Sequence, residues 1–254
     1  MEHQLKATSS TPALTIFLID VSGSMSLPLG EKQRIDIVGD ALKSIFMRLV
    51  ALSTKGKQIS PRYHLALYAY TNEVYDLLGG IKTIGEVARL GKPKLVPQVN
   101  TDTAKGFAKV EELLHNVLPT YAQCPAPVVC HLTDGEYTEA DPEPVVRRIM
   151  QFKVPDGPVL VENIFISDTI LAEPIADVHR WAGINGQTEL GSDYARKLRA
   201  MSSPLPETYR VVMREWGYPI EPGAHMLLPG NSQELVAMGF AMSTISREAS
   251  RVAS

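Results

Sequence analysis

The stretch "IDVSGSM", Ile19 to Met25, sets one carboxylate and two hydroxyls at alternate positions: Asp20, Ser22 and Ser24. It follows an uncharged run, Leu14 to Ile19. A strand apolar enough to read "LTIFLI" is buried, and a carboxylate closing it needs compensation, because an isolated buried charge is costly. Two other polar clusters resemble it in setting. "NTDT", Asn100 to Thr103, opens a helical pattern, and "TDGE", Thr133 to Glu136, follows the apolar run "VVCHL". If the strands behind them are neighbours, Asp20, Ser22, Ser24, Thr101 and Asp134 converge at one sheet edge, where open α/β sheets bind ligands. Two carboxylates and three hydroxyls form an all-oxygen set. That set suits a hard cation such as Mg2+, Mn2+ or Ca2+, and not zinc or copper. Gly23 allows a loop tight enough for both serines to face inward.

The elements that must position these residues alternate along the chain. "ALTIFLID" reads as a buried strand. Ile35, Val38, Leu42, Ile45 and Leu49 then mark the apolar stripe of a helix. "YHLALYAYT" and "EVYDLL" are strands with almost nothing between them, hence a hairpin, since a parallel crossover needs roughly a dozen residues. Phe107, Val110, Leu114 and Val117 share one face of a helix that begins near Ala104, with Asp102 and Thr103 as its caps. "PVVCHLT" is a strand, "DPEPVVRRIMQF" a helix with proline near its start, and "VLVENIFIS" another parallel strand. Asp168 to Pro222 is the least regular stretch, with "SDYARKLRAMS" its clearest helix. "AHMLLP" reads as a short last strand. "NSQELVAMGFAMSTIS" closes the chain as a helix aligning Leu235, Met238, Met242 and Ile245. The expectation is one α/β domain over residues 14–246, doubly wound, with a mostly parallel sheet, one antiparallel edge strand and helices on both faces. Residues 1–13 and 247–254 are expected to be tails.

Bulk properties narrow the function. The chain has 254 residues, 44% hydrophobic and 21% charged, with a formal net charge of −3. It contains no basic block of the kind that marks nucleic-acid or anionic-membrane binding. No segment approaches the roughly 20 apolar residues of a membrane span. The polar start "MEHQLKATSSTPA" does not resemble a signal peptide, and the two cysteines, Cys124 and Cys130, read as reduced thiols. These features imply a cytoplasmic protein, monomeric by itself. Cys130 is expected in the core, and Cys124, in "AQCPAP", in a reactive loop. Tyr63, Tyr68, Tyr70 and Tyr75 are sheet packing rather than a binding stripe. Asp141 and Asp168 read as caps and Glu136 as a rim residue. His64, His115, His131, His179 and His225 lack the spacing of a metal site or a triad.

Taken together, "DVSGSM", "NTDT" and "LTDGE" resemble the three loops of the metal-ion-dependent adhesion site of von Willebrand factor A (VWA) domains, in family order. Each motif alone also reads as a capped turn; three in order do not. The resemblance implies that Ser22, Ser24 and Thr101 give hydroxyl oxygens to a divalent cation, Mg2+ first, with Asp20 and Asp134 holding it directly or through water. Thr101 is preferred to Thr103 by its place in the motif, and Asn100 stands where the family carries glycine. The chain further resembles stand-alone cytoplasmic bacterial members associated with tellurium resistance and with phosphatase and kinase partners. On this reading it is a binding module, not an enzyme, whose metal captures an aspartate or glutamate of a partner protein. A metal-dependent phosphohydrolase and a structural subunit with a vestigial site are the alternatives. A phosphoaspartate enzyme needs a carboxylate two residues after its nucleophile, where Ser22 stands.

Overall fold

The computed structural model describes residues 2–98, 101–135, 137, 139–167, 170–173 and 175–245. Its main sheet is built from β1 (Ala13–Asp20), β2 (Tyr63–Tyr70), β3 (Val74–Asp76), β4 (Lys82–Thr83), β5 (Val128–Thr133), β6 (Leu160–Phe165) and β7 (Leu227–Pro229). The spatial order is β7-β6-β5-β1-β2, with β3 and β4 both on the outer edge of β2. All neighbours are parallel except β3 and β4, which run antiparallel to β2. Strand β1 lies at the centre, paired to β2 over its whole length and to β5 from Thr15 to Ile19.

The period of two along β1 divides the core. Leu14, Ile16 and Leu18 face one side, against α3 (Thr103–Val117), α4 (Glu143–Ile149) and α5 (Asp193–Ala200). Phe17 and Ile19 face the other, against α1 (Arg34–Ser53), α2 (Ile84–Leu90) and α7 (Gln233–Met242). Phe17 meets Phe46 of α1 and Phe240 of α7 edge-on, at ring-centroid distances of 6.1 and 5.5 Å. Such pairs add about 0.5–1.5 kcal/mol each beyond the area they bury. The outer face of α7, with Leu235, Met238 and Met242, packs with α6 (Glu207–Glu215) and Ile245 into a third cluster. Helices thus cover both faces of a mostly parallel sheet, as the alternation of elements requires.

Three elements were not legible. Strand β4 has two residues, too few for a period to show. Helix α2 has seven, stabilised by a reciprocal cap in which Thr83 and Glu86 each bond the other's backbone N–H. Helix α6 buries only Tyr209, Val212 and Met213, a stripe too narrow to stand out in an irregular region. Among the described residues, no helix is long and apolar enough to cross a membrane.

Two expectations about local environment are corrected. Cys124 is buried, not reactive loop: its backbone N–H bonds Tyr121 O at 2.9 Å, turning the side chain into the cluster under α3. Burial raises the thiol pKa of both Cys124 and Cys130. The segment before β1, assigned to a tail, is bonded to the body: Asp156 Oδ1 accepts the N–H groups of Gln4 and Leu5 at 2.8 and 2.9 Å, and Oδ2 accepts that of Ala126 at 3.0 Å. Arg62 donates to Ala7 O through Nε and Nη2. The end of the first domain boundary, residue 246, and the segment 247–254 lie outside the described residues.

A thiol reagent should label both cysteines of the native protein slowly and at similar rates, with rapid labelling of Cys124 the contrary result. Asp156→Ala, which strips a carboxylate from three backbone donors, should lower unfolding free energy by about 2–3 kcal/mol in urea titration.

Candidate metal centre

Strand β1 ends on Asp20, opposite Tyr70 of β2. On its other side, Ile19 is opposite Leu132 of β5, so β5 delivers Thr133 and Asp134 to the same edge. Parallel pairing makes this convergence automatic, because the carboxyl ends of neighbouring strands coincide. Beyond Asp20 the chain makes a short 3-10 turn, Gly23–Ser26, with Ser22 still extended. Both serines therefore lie within one turn of the strand end.

A continuous chain of hydrogen bonds joins these residues. Asp20 Oδ1 accepts the Ser22 N–H at 2.8 Å, and Oδ2 accepts the Thr133 hydroxyl at 2.8 Å. Ser22 Oγ is 3.0 Å from Ser24 Oγ, and Ser24 Oγ donates to Asp134 Oδ1 at 2.7 Å. Asp134 Oδ2 in turn accepts Arg34 Nη1 at 2.7 Å. The loop before α3 is tied down at both ends. Gln98 N–H donates to Val21 O at 2.7 Å, and Asp102 N–H to Thr71 O at 2.8 Å. Tyr75 adds a bond from its hydroxyl to Gln98 Oε1 at 3.1 Å. Thr101, next to the second anchor, is itself buried. Asp102 caps α3 by accepting Lys105 N–H, as expected, and the helix starts at Thr103 rather than Ala104. Asn100, Glu136 and Asp168 lie outside the described residues.

Asp20 has no solvent exposure. Burial pushes its carboxyl up from 3.8 to about 6, against the lowering effect of the Ser22 and Thr133 hydrogen bonds, and nearby Asp134 raises it slightly further. Below the site runs a second polar line. Tyr70 Oη is 2.7 Å from His131 Nε2, and His131 Nδ1 is 2.7 Å from Asn163 Oδ1. Asn163 Nδ2 donates to Met201 O and Ser202 Oγ. Burial lowers the His131 pKa to about 4, so this ring is neutral and both its nitrogens are engaged. Tyr63, Tyr68 and Tyr70 are buried in the sheet as packing; Tyr75 is exposed and holds the loop.

The structure thus brings Asp20, Ser22, Ser24 and Asp134 into one bonded cluster; Thr101 is buried on the segment that Asp102 ties to Thr71, just past the end of β2. Their oxygens fit a hard divalent ion: the deepest donor is a carboxylate whose charge burial penalises, and the others are hydroxyls and one carboxylate. Among the described residues no group of three or more His, Cys, Asp and Glu side chains is placed to hold a metal. Two neighbours escaped the sequence reading. Thr133 stands inside "LTDGE" but looked like the end of a strand. Arg34 opens α1, where a cation is unfavourable beside the helix dipole; that misfit was the available signal.

No protein-family model and no curated protein matches the chain. Among solved structures, the SpRpn10 VWA domain matches with a TM-score of 0.53 and 14% identity, covering 93% of this chain and 97% of that one. The fold is that of a VWA domain. The D319A mutant of the PilB minor pilin from Streptococcus sanguinis gives the same TM-score at 12% identity. That match covers 91% of this chain, which spans 60% of the pilin chain. At these identities the likeness concerns the VWA fold; the site rests on this chain's own residues.

Asp20→Asn tests the electrostatics of this cluster in the absence of metal. With a folded-state pKa of about 6 against 3.8, native protein binds more protons than unfolded chain between those values. Stability therefore falls as pH rises from about 4 to 6 and then levels off. The asparagine keeps both contacts, since Thr133 Oγ1 can accept from its amide and donate to Gly135 O, now 3.0 Å away. Without metal at pH 7, Asp20→Asn should be more stable than the parent by about 1–3 kcal/mol and should lose this pH dependence. Chemical denaturation at pH 4.5 and 7 checks both.

Proposed function

We propose that this VWA domain is a metal-dependent protein-interaction module and not an enzyme. The observation that carries the reading is the bonded chain from Asp20 through Ser22 and Ser24 to Asp134, assembled from two loops at the ends of adjacent central strands. In this reading Ser22, Ser24 and Thr101 offer hydroxyl oxygens to a divalent cation, with Mg2+ the preferred ion, and Asp20 and Asp134 supply its negative partners. The bound ion provides a Lewis-acidic position for an aspartate or glutamate of a partner protein. Asp20 fixes the Ser22 backbone; Thr133 fixes Asp20; Ser24 orients Asp134. The resemblance of the motifs to stand-alone bacterial members extends the reading to a cytoplasmic stress-response or signalling system with phosphatase or kinase partners.

Support for binding over hydrolysis comes from the histidine beneath the site. His131 is fully buried, neutral, and bonded at both nitrogens, so it is not placed to take a proton from a metal-activated water.

A ligand that binds native protein alone stabilises it, by about 2.7 kcal/mol at a hundredfold excess over its Kd. Saturating Mg2+ should therefore raise Tm by about 5–10 °C for a domain of this size. Asp20→Asn should abolish the shift and Thr101→Ala should reduce it. Calorimetric titration with an acidic partner should show heat in Mg2+ and none in chelator; equal affinity in both would rule out a metal bridge.

A further inference from the structure

Among the described residues at the site, Arg34 is the one whose charge opposes a cation. It is the first residue of α1, so its own helix disfavours it. Its Nη1 reaches Asp134 Oδ2 at 2.7 Å, its side chain is 21% exposed, and the carboxylate it meets is fully shielded. Its Nε is buried with no hydrogen-bond partner among the described residues. A guanidinium that forgoes both a favourable helix position and one hydrogen bond is held by the carboxylate, and the carboxylate is divided between two donors: Ser24 on Oδ1 and Arg34 on Oδ2.

We propose that Arg34 is a built-in counter-cation that weakens divalent-metal binding and leaves the loaded site with surplus positive charge for an acidic ligand. This rests on the metal-site reading above. Asp20 and Asp134 together carry two negative charges, enough to neutralise a divalent ion completely. Arg34 cancels one of them, so the loaded cluster keeps one net positive charge. That charge disfavours the second cation, because like charges at close range repel strongly where water is scarce. It equally favours a carboxylate from outside, which restores neutrality. Arg34 therefore trades intrinsic metal affinity for metal binding coupled to acidic-ligand binding. The partner class it selects is a protein that presents a single accessible aspartate or glutamate.

The test is calorimetric titration of the intact chain with Mg2+ and with Mn2+, comparing the parent with Arg34→Gln, Arg34→Met, Arg34→Lys and Asp20→Asn, each checked for native circular dichroism. Removing the charge should tighten metal binding by about tenfold or more, in whichever of the Gln and Met variants folds. Arg34→Lys, which keeps the charge, should stay near the parent. Asp20→Asn should not bind. If Gln and Met variants bind metal no more tightly than the parent while Asp20→Asn abolishes binding, the metal site stands and the counter-cation role is wrong. Weaker binding in Gln, Met and Lys alike also overturns it, since Arg34 would then serve to position Asp134. If Asp20→Asn binds as well as the parent, the metal-site reading itself fails and the role of Arg34 fails with it.

Discussion

The architecture turns on a carboxylate at the end of the central strand. Asp20 has no exposure and lies where β1 meets the ends of β2 and β5. Placing an aspartate there opposes folding, since burial outweighs its hydrogen bonds and leaves its pKa raised to about 6. The fold tolerates it through two contacts: the Ser22 N–H of its own loop, and the Thr133 hydroxyl that parallel pairing brings from the adjacent strand. An antiparallel neighbour would bring the start of its strand to this edge, and Thr133 and Asp134 would lie at the far end.

What keeps that arrangement rigid is the division of labour across the sheet. One face is apolar around Phe17, locked between Phe46 and Phe240, and it also buries Thr15 and the Glu162 carboxylate. The other carries the buried line of Tyr70, His131 and Asn163, each bonded to the next. A fully satisfied buried network specifies one arrangement of strands, whereas a half-satisfied one penalises all of them. With core clusters on both faces of the sheet, the chain has apolar burial enough to fold around an unfavourable charge, as large domains can.

Charge at the rim follows a different logic from charge in the core. Asp20 is compensated by neutral donors, and Asp134 by a hydroxyl and a guanidinium. The two carboxylates of one cluster therefore differ: the inner depends on hydrogen bonds, and the outer already shares a full positive charge. A hard cation entering between them meets one carboxylate without an ionic partner and one that is already paired.

Much of this was legible in the chain itself. The run "LTIFLID", the stripe from Ile35 to Leu49 and the closing pattern Leu235, Met238, Met242 and Ile245 carry the periods of strand and helix, and periodicity is a local property of sequence. The alternation of these elements dictated a mostly parallel sheet, and the three polar motifs placed Asp20, Ser22, Ser24, Thr101 and Asp134 at its edge. Other features depended on distance in space, which no local pattern encodes. Cys124 reads as exposed because its neighbours are prolines and polar residues, yet its turn folds inward on contacts with α3. The first residues read as a tail, since the carboxylate that binds them, Asp156, comes about 150 positions later in the chain. Arg34 reads as an ordinary surface cation until Asp134 arrives from another strand. Sequence alone nominated Asp20, Ser22, Ser24, Thr101 and Asp134 for one edge, because types and spacing are local, but it did not show Thr133 and Arg34 beside them. Only tertiary structure decided their electrostatic state, because desolvation and ion pairing come from groups that packing brings together.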